Sequence, residues 1–164
     1  MDKFLAGLTG LALMAGHATA TSAQGPGPIE GVWLTQSKTE MTITRCGTGY
    51  CGHISKIVVP EALQAQYGDA LETLAVEDYV DANNSNPALR NRPIQGLRIL
   101  TLTPTGNASI YEGEIYNPQD GNTYSGAIEV LGADRVRLKG CMFTVLCQEE
   151  DWTRLSGPLL ISSD

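Results

Sequence analysis

Two arginines and two tyrosines give this chain its clearest chance of recognition chemistry. Arg90 and Arg92 lie in a polar stretch from Asp81 to Pro93, and Tyr116 and Tyr124 bracket a turn carrying Pro118, Asp120 and Gly121. A guanidinium presents a planar fork of donors that fits a carboxylate or phosphate. The four side chains together could therefore clamp an anionic head group at the mouth of a pocket. Asp81, Asn84 and Asp120 complete the candidate ligand-binding set. The same residues also support a structural reading, which is the favoured one: an aspartate pairs with the arginines and Asn84 ties the stretch to its own backbone. A long ordered loop needs such internal partners for its polar groups.

Other patterns carry less. Asp81, Asn83 and Ser85 have the spacing of a calcium loop, but Asn86 stands where the turn glycine belongs and Arg92 where the bidentate acid belongs. Gly47, Gly49 and Gly52 satisfy a dinucleotide-binding spacing, yet the segment sits between two strand candidates with no helix after it. Glu112 and Glu114 share a strand face and could act as paired carboxylates. Tyr111, Gly113 and Ile115 make the more natural interior, which leaves the glutamates to solvent. No catalytic residue, metal ligand or cofactor site is assigned.

The N-terminus reads as an export signal. Lys3 precedes an apolar run from Phe4 to Ala15, and Ala18-Thr19-Ala20 is a small-x-small cleavage pattern. Residues 1–20 are thus expected to be a signal peptide, 21–29 a Pro/Gly-rich leader, and 30–164 a single domain. The apolar run is shorter than the ~20 residues a transmembrane helix needs, and no later segment approaches that length. His17 leaves with the signal, so His53 is the one histidine remaining, and no G-x-S-x-G is present. Nucleophilic catalysis is disfavoured on both counts. The protein is expected in the periplasm or secreted.

Cysteine usage agrees with that compartment. Cys46, Cys51, Cys141 and Cys147 form two close pairs, and thiols oxidise by default outside the cytosol. Of three possible connectivities, Cys46–Cys51 and Cys141–Cys147 are expected, because each pair flanks a turn. A four-cysteine zinc site is the alternative, disfavoured by the wide second spacing. The formal charge of −7 survives loss of Asp2 and Lys3 together. That sign opposes binding to nucleic acid or anionic lipid, whose partners are basic.

The elements that would position these residues are strands. Met41, Ile43 and Arg45 alternate with Thr42 and Thr44, and the chain returns through His53 to Val59 as a hairpin. Further candidates run Leu97–Thr103, Ser109–Tyr116, Thr123–Leu131, Arg135–Cys141 and Asp151–Leu155. The clearest alternation sets Val136, Leu138 and Gly140 against Arg135, Arg137 and Lys139, one apolar and one charged face. Leu63, Leu71 and Leu74, after Pro60, predict one or two short helices between Pro60 and Val80. Gly31-Val32-Trp33 opens the series and Trp152-Thr153-Arg154 closes it. Arg154 can stack on Trp33 only if the sheet curls until its first and last strands meet. A mainly β fold, an antiparallel up-and-down barrel of about eight strands, follows, and closure removes the exposed edges an open meander would leave.

Three blocks of residues resemble an exported bacterial family catalogued as domain of unknown function 2147. They are Asp81 to Gly96 with its Asn83, Asn84, Asn86, Pro87, Leu89, Arg90, Arg92 and Pro93; Tyr116 to Gly126 with its Asn117, Pro118, Asp120 and Gly121; and Trp152-Thr153-Arg154. The Cys46 to Gly52 stretch fits as well. The resemblance implies a lipocalin-like barrel, with Gly31, Trp33 and Arg154 similar to the pair that closes lipocalin barrels. It implies no activity. A barrel of this size is either filled by side chains or holds one small ligand. The expected function is binding of a small amphipathic or apolar molecule, without a cofactor; the alternatives are an envelope structural or interaction module with a filled barrel, its protein partner unknown, and, third, an enzyme.

Overall fold

A single meander of eight strands accounts for the domain. This computed structural model describes residues 27–58, 65, 68, 78–142 and 146–157. The strands are β1 (Gly31–Leu34), β2 (Glu40–Cys46), β3 (Gly49–Lys56), β4 (Arg98–Pro104), β5 (Ile110–Asn117), β6 (Asn122–Gly132), β7 (Arg135–Met142) and β8 (Leu146–Ser156). Each pairs antiparallel with the next, and β1 pairs with β8, so the sheet is a closed barrel. The lipocalin-like fold class is as expected. A 3-10 turn at Pro87–Leu89 is capped by the Asn86 side chain, which accepts from the Ala88 N–H. The helices expected between Pro60 and Val80 fall almost wholly outside the described residues, as does the signal peptide.

Two strand starts differ from the sequence reading, for the same reason. β3 begins at Gly49, not His53, and β8 at Leu146, not Asp151. Each disulfide, Cys46–Cys51 and Cys141–Cys147, lies across a hairpin whose ladder continues almost to the tip. Cys141 faces Cys147 directly, and Cys46 faces Gly49. A bridge placed between strands lets pairing run up to the turn, where the sequence reading had allowed a loop.

The meander places the β2–β3, β4–β5 and β6–β7 turns at one end of the barrel and the β5–β6 and β7–β8 turns at the other. The first end is closed. Gly27 to Glu30 folds back across it, with Ile29 wholly buried beside Trp33, Tyr50 and Tyr111. Ile29 belongs to the stretch read as leader, but its side chain is part of the core. The Trp33 indole donates to the Ile29 carbonyl at 2.8 Å, and the Tyr50 and Tyr111 rings meet edge to face at 5.2 Å. Edge contacts of this kind are favoured by the ring quadrupoles.

Arg154 locks that end. Its guanidinium lies 4.0 Å from the Trp33 ring and donates to the carbonyls of Glu30 and Pro28, both at 2.6 Å, and of Ala133 at 2.7 Å. One side chain thus joins the segment before β1, the β6–β7 turn and β8. Gly31 must be glycine here. Its φ is +135°, and a Cβ would stand 2.7 Å from the Arg154 Nη1. Trp152 is buried inside the barrel opposite Val136, its indole N–H bonded to Glu150.

Candidate functional site

Alternation along β5 and β6 separates the two tyrosines of the candidate set. Ile115 faces Tyr124 and Tyr116 faces Thr123. Ile115 packs against the core, so Tyr124 projects inward and Tyr116 outward, as successive strand residues must. The seven candidate residues therefore divide between two places.

Outside the barrel, Tyr116 anchors a network centred on Asp81. The Asp81 carboxylate is wholly buried. It accepts from the Tyr116 hydroxyl at 2.6 Å, the Asn84 amide at 2.8 Å and Arg92 Nε and Nη2, both at 2.8 Å. Burial alone would raise its pKa, but the hydrogen bonds from Tyr116, Asn84 and Arg92 outweigh that and hold it below its ordinary value. Arg92 also lies over the Tyr116 ring at 5.4 Å. Asn84 donates to the Tyr116 oxygen at 2.9 Å and accepts from the Asn86 N–H at 2.8 Å, while Arg90 Nε donates to the Asn84 carbonyl at 2.8 Å.

The same loop is pinned to the β5–β6 turn. Asn83 donates to the Gln119 carbonyl at 2.8 Å, and Gly121, at φ +73°, passes so close to the Asn83 carbonyl that any side chain would collide with it. Fixing the 81–93 segment is therefore what Arg90, Arg92, Asn84 and Asp81 do in this structure. A depression of about 350 Å³ beside Arg92, lined also by Arg98, Glu114 and Tyr116, lies on the outer face.

Inside, a larger space opens at the other end of the barrel from Trp33. Its volume is about 610 Å³, within the roughly 300 to 1,000 Å³ of small-molecule sites. Ile115, Leu138, Met142 and Leu146 give it apolar walls. Gln36, Asn117, Asp120, Tyr124, Gln148, Glu149 and Glu150 give it polar ones.

Of three glycines that the register brings together, one leaves room for this space. Gly113 faces Gly126, Gly126 faces Gly140, and Gly140 faces Gln148. Three neighbouring strands therefore present no side chain to the interior at adjacent positions. The β4 backbone takes the place over Gly113, the Thr101 carbonyl oxygen lying 2.0 Å from where a Cβ would stand, and Ile115 takes that over Gly126, its Cδ1 2.2 Å away. Over Gly140 there is room: a Cβ there would meet only that same carbon, at 3.4 Å.

Asp120 and Tyr124 belong to this cavity. The Tyr124 hydroxyl donates to Asp120 Oδ2 at 2.5 Å and the Asn122 N–H to Oδ1 at 2.9 Å. Chiefly through Tyr124, these bonds hold the Asp120 carboxyl below its ordinary pKa and raise that of the Tyr124 phenol. Sequence reasoning missed Glu150, Gln148, Gln36 and Gly140 as lining residues. A signal existed for the first two. Counting back in twos from the buried Trp152 points Glu150 and Gln148 inward, but only if β8 is extended to Leu146. Among the described residues no group of three or more His, Cys, Asp or Glu is placed to hold a metal. Glu112 and Glu114 are exposed on the outer face.

The profile of a family described as an uncharacterized protein conserved in bacteria, domain of unknown function 2147, matches residues 31–154. The chain belongs to that family. Its matched span runs from the glycine beneath the closing arginine to the arginine itself, and so takes in both polar sites and all of the barrel but the last two residues of β8. No curated protein sequence matches the chain. Among solved structures, "Protein HP1028 from the human pathogen Helicobacter pylori belongs to the lipocalin family" superposes with a TM-score of 0.60 at 20% identity, covering 77% of this chain and 82% of that one. At that identity the likeness is one of fold.

Proposed function

We propose that this protein binds a small amphipathic molecule in the cavity at the open end of its barrel, as an exported protein of the periplasm or extracellular space. The observation that carries the reading is the cavity itself: about 610 Å³ with apolar and polar walls, and with Gly140 in its lining where a filled barrel would place a core side chain. Apolar walls with a few convergent polar groups are the usual composition of such sites. Both disulfides support an oxidising compartment, and no described helix is long and apolar enough to cross a membrane. Arg90 and Arg92 do not line this cavity, and their bonds within the 81–93 loop support a structural role.

Nile red, neutral and apolar, provides the test, with Gly140→Leu as the variant that fills the cavity. Wild-type protein should bind the dye with saturable fluorescence enhancement, and Gly140→Leu should lose that signal while keeping its circular dichroism. Equal binding by both proteins would sink the reading. Mass spectrometry of small molecules extracted from natively purified protein would then identify the natural occupant.

A second reading, an envelope interaction module, draws on the β7–β8 tip, where Met142 is 43% and Leu146 61% exposed. A pull-down that captures one partner, lost when both residues become serine, would favour it.

A further inference from the structure

The charges around the cavity are sorted by strand face, and the sorting has one sign. On β7 the cations Arg135, Arg137 and Lys139 alternate with the inward Val136, Leu138 and Gly140. Arg137 pairs with Asp151 at 2.7 Å and Lys139 with Glu149 at 3.2 Å, each directly across the ladder on the outer face. Glu150 lies between those two acids in sequence and so on the opposite face, where it lines the cavity across from Leu138. Its hydrogen bond is to the Trp152 indole, a neutral donor. Asp120 stands at the rim, held ionised by Tyr124. Among the described residues, no lysine, arginine or histidine lines the cavity.

We infer, resting on the ligand-binding reading above, that the cavity selects amphiphiles with a cationic head group, a protonated amine above all, and discriminates against fatty carboxylates. The Glu150 carboxylate supplies a charged acceptor beside the apolar Leu138, Leu146 and Ile115 and the neutral Gln148. An ammonium would place its N–H groups on it while the chain lies on those side chains. A carboxylate head would meet the anions Glu150 and Asp120, with Glu149, paired to Lys139, also in the lining, and no described lining cation. The low-dielectric wall sharpens both effects, because a charge pair removed from water is attracted or repelled more strongly than one in it. The net charge of −7 adds a long-range bias of the same sign on approach.

Three probes of one chain length separate head group from tail: decylamine, decanol and decanoate, each titrated as a competitor of Nile red at neutral pH. Decylamine should compete at least about tenfold more tightly than decanoate, the ratio expected of one charge-assisted hydrogen bond, with decanol between them. Glu150→Gln retains an acceptor for the Trp152 indole. It should weaken decylamine by roughly tenfold and leave decanol within about twofold, and raised salt should weaken decylamine alone. Unchanged melting and decanol affinity in the variant show that the fold and cavity survive. If decanoate binds as tightly as decylamine, or if Glu150→Gln leaves decylamine unchanged while decanol still binds, the charge preference is wrong and the binding cavity stands. If none of the three displaces Nile red, and Gly140→Leu binds the dye as well as wild type, the cavity reading falls and this inference with it.

Discussion

The two ends of the barrel are built from the same strands with opposite interiors. At the closed end the inward positions carry Trp33, Tyr50, Tyr111 and Trp152, all at most 6% exposed, and Arg154 ties three backbone segments together over the Trp33 ring. At the open end the inward positions of β5, β6 and β7 carry glycine, and beyond them stand Glu150, Gln148 and Tyr124. A sheet needs its ladder hydrogen bonds along its whole length but needs core side chains only where it is to be filled. Stability can therefore be concentrated at one end and space kept at the other. The external Asp81 network belongs with the first group in what it does, although it sits on the segment between β3 and β4 that leaves from the open end.

That division can be broken most directly at Trp33. Trp33→Ala should cost about 3 to 5 kcal/mol in denaturant unfolding, as a large-to-small change in a filled core. A much smaller cost would mean that the closed end is not where stability resides.

Asp81→Asn should come next, at about 2 to 3 kcal/mol, because it replaces the buried charge-assisted acceptor of Tyr116, Asn84 and Arg92 by a neutral amide whose NH2 faces other donors. The pH dependence gives a finer reading. The folded pKa of Asp81 lies below its ordinary value of 3.8, so its stabilisation is present above that ordinary value and is lost as pH falls through the lowered folded one. Wild type should therefore lose stability on acidification into that range, and Asp81→Asn should show a flatter profile. Parallel profiles for the two proteins would place the acid sensitivity elsewhere.

Replacing Cys141 and Cys147 together by serine removes a short bridge at the open end. The chain-entropy model gives a loss of only about 2 kcal/mol, and the fold should persist. Intact mass before and after reduction should show all four thiols blocked in native protein.

Smallest in stability is Gly140→Leu. Its Cβ has ordinary contacts only, so unfolding should shift by less than about 1 kcal/mol, within the range of tolerated core changes, while Nile red binding disappears. A large loss of stability there would show that the open end is packed, and the comparison would collapse.

Much of this was legible in the residues. The alternation of Val136, Leu138 and Gly140 with Arg135, Arg137 and Lys139 gave β7 both its span and its faces. Gly31, Trp33 and Arg154 announced closure, since an aromatic and a guanidinium at the two extremes of a meander have little other reason to pair. The spacing of the cysteines gave both bridges. The candidate site was less legible. The structure brings Asp81, Asn84, Arg90 and Arg92 together with Tyr116, whereas Tyr124 and Asp120, which lie on the same turn as Tyr116, belong to the cavity. A turn reverses direction without saying which face each flanking residue takes. Only the register of Ile115 on Tyr124 does that.

The sequence by itself determined the strands, their order, the disulfides and the barrel, because these follow from local periodicity, from turn chemistry and from pairs whose contact forces closure. Tertiary structure alone decided that the interior is full at one end and empty at the other. Three glycines far apart in the chain, at 113, 126 and 140, look like three separate weaknesses of three strands. The pairing register sets them side by side, with the β4 backbone over the first, Ile115 over the second and room left over Gly140, and Glu150 becomes the cavity's charged wall only because β8 starts five residues earlier than its composition suggests. Register is a property of pairs of strands, and no single stretch of the chain contains it.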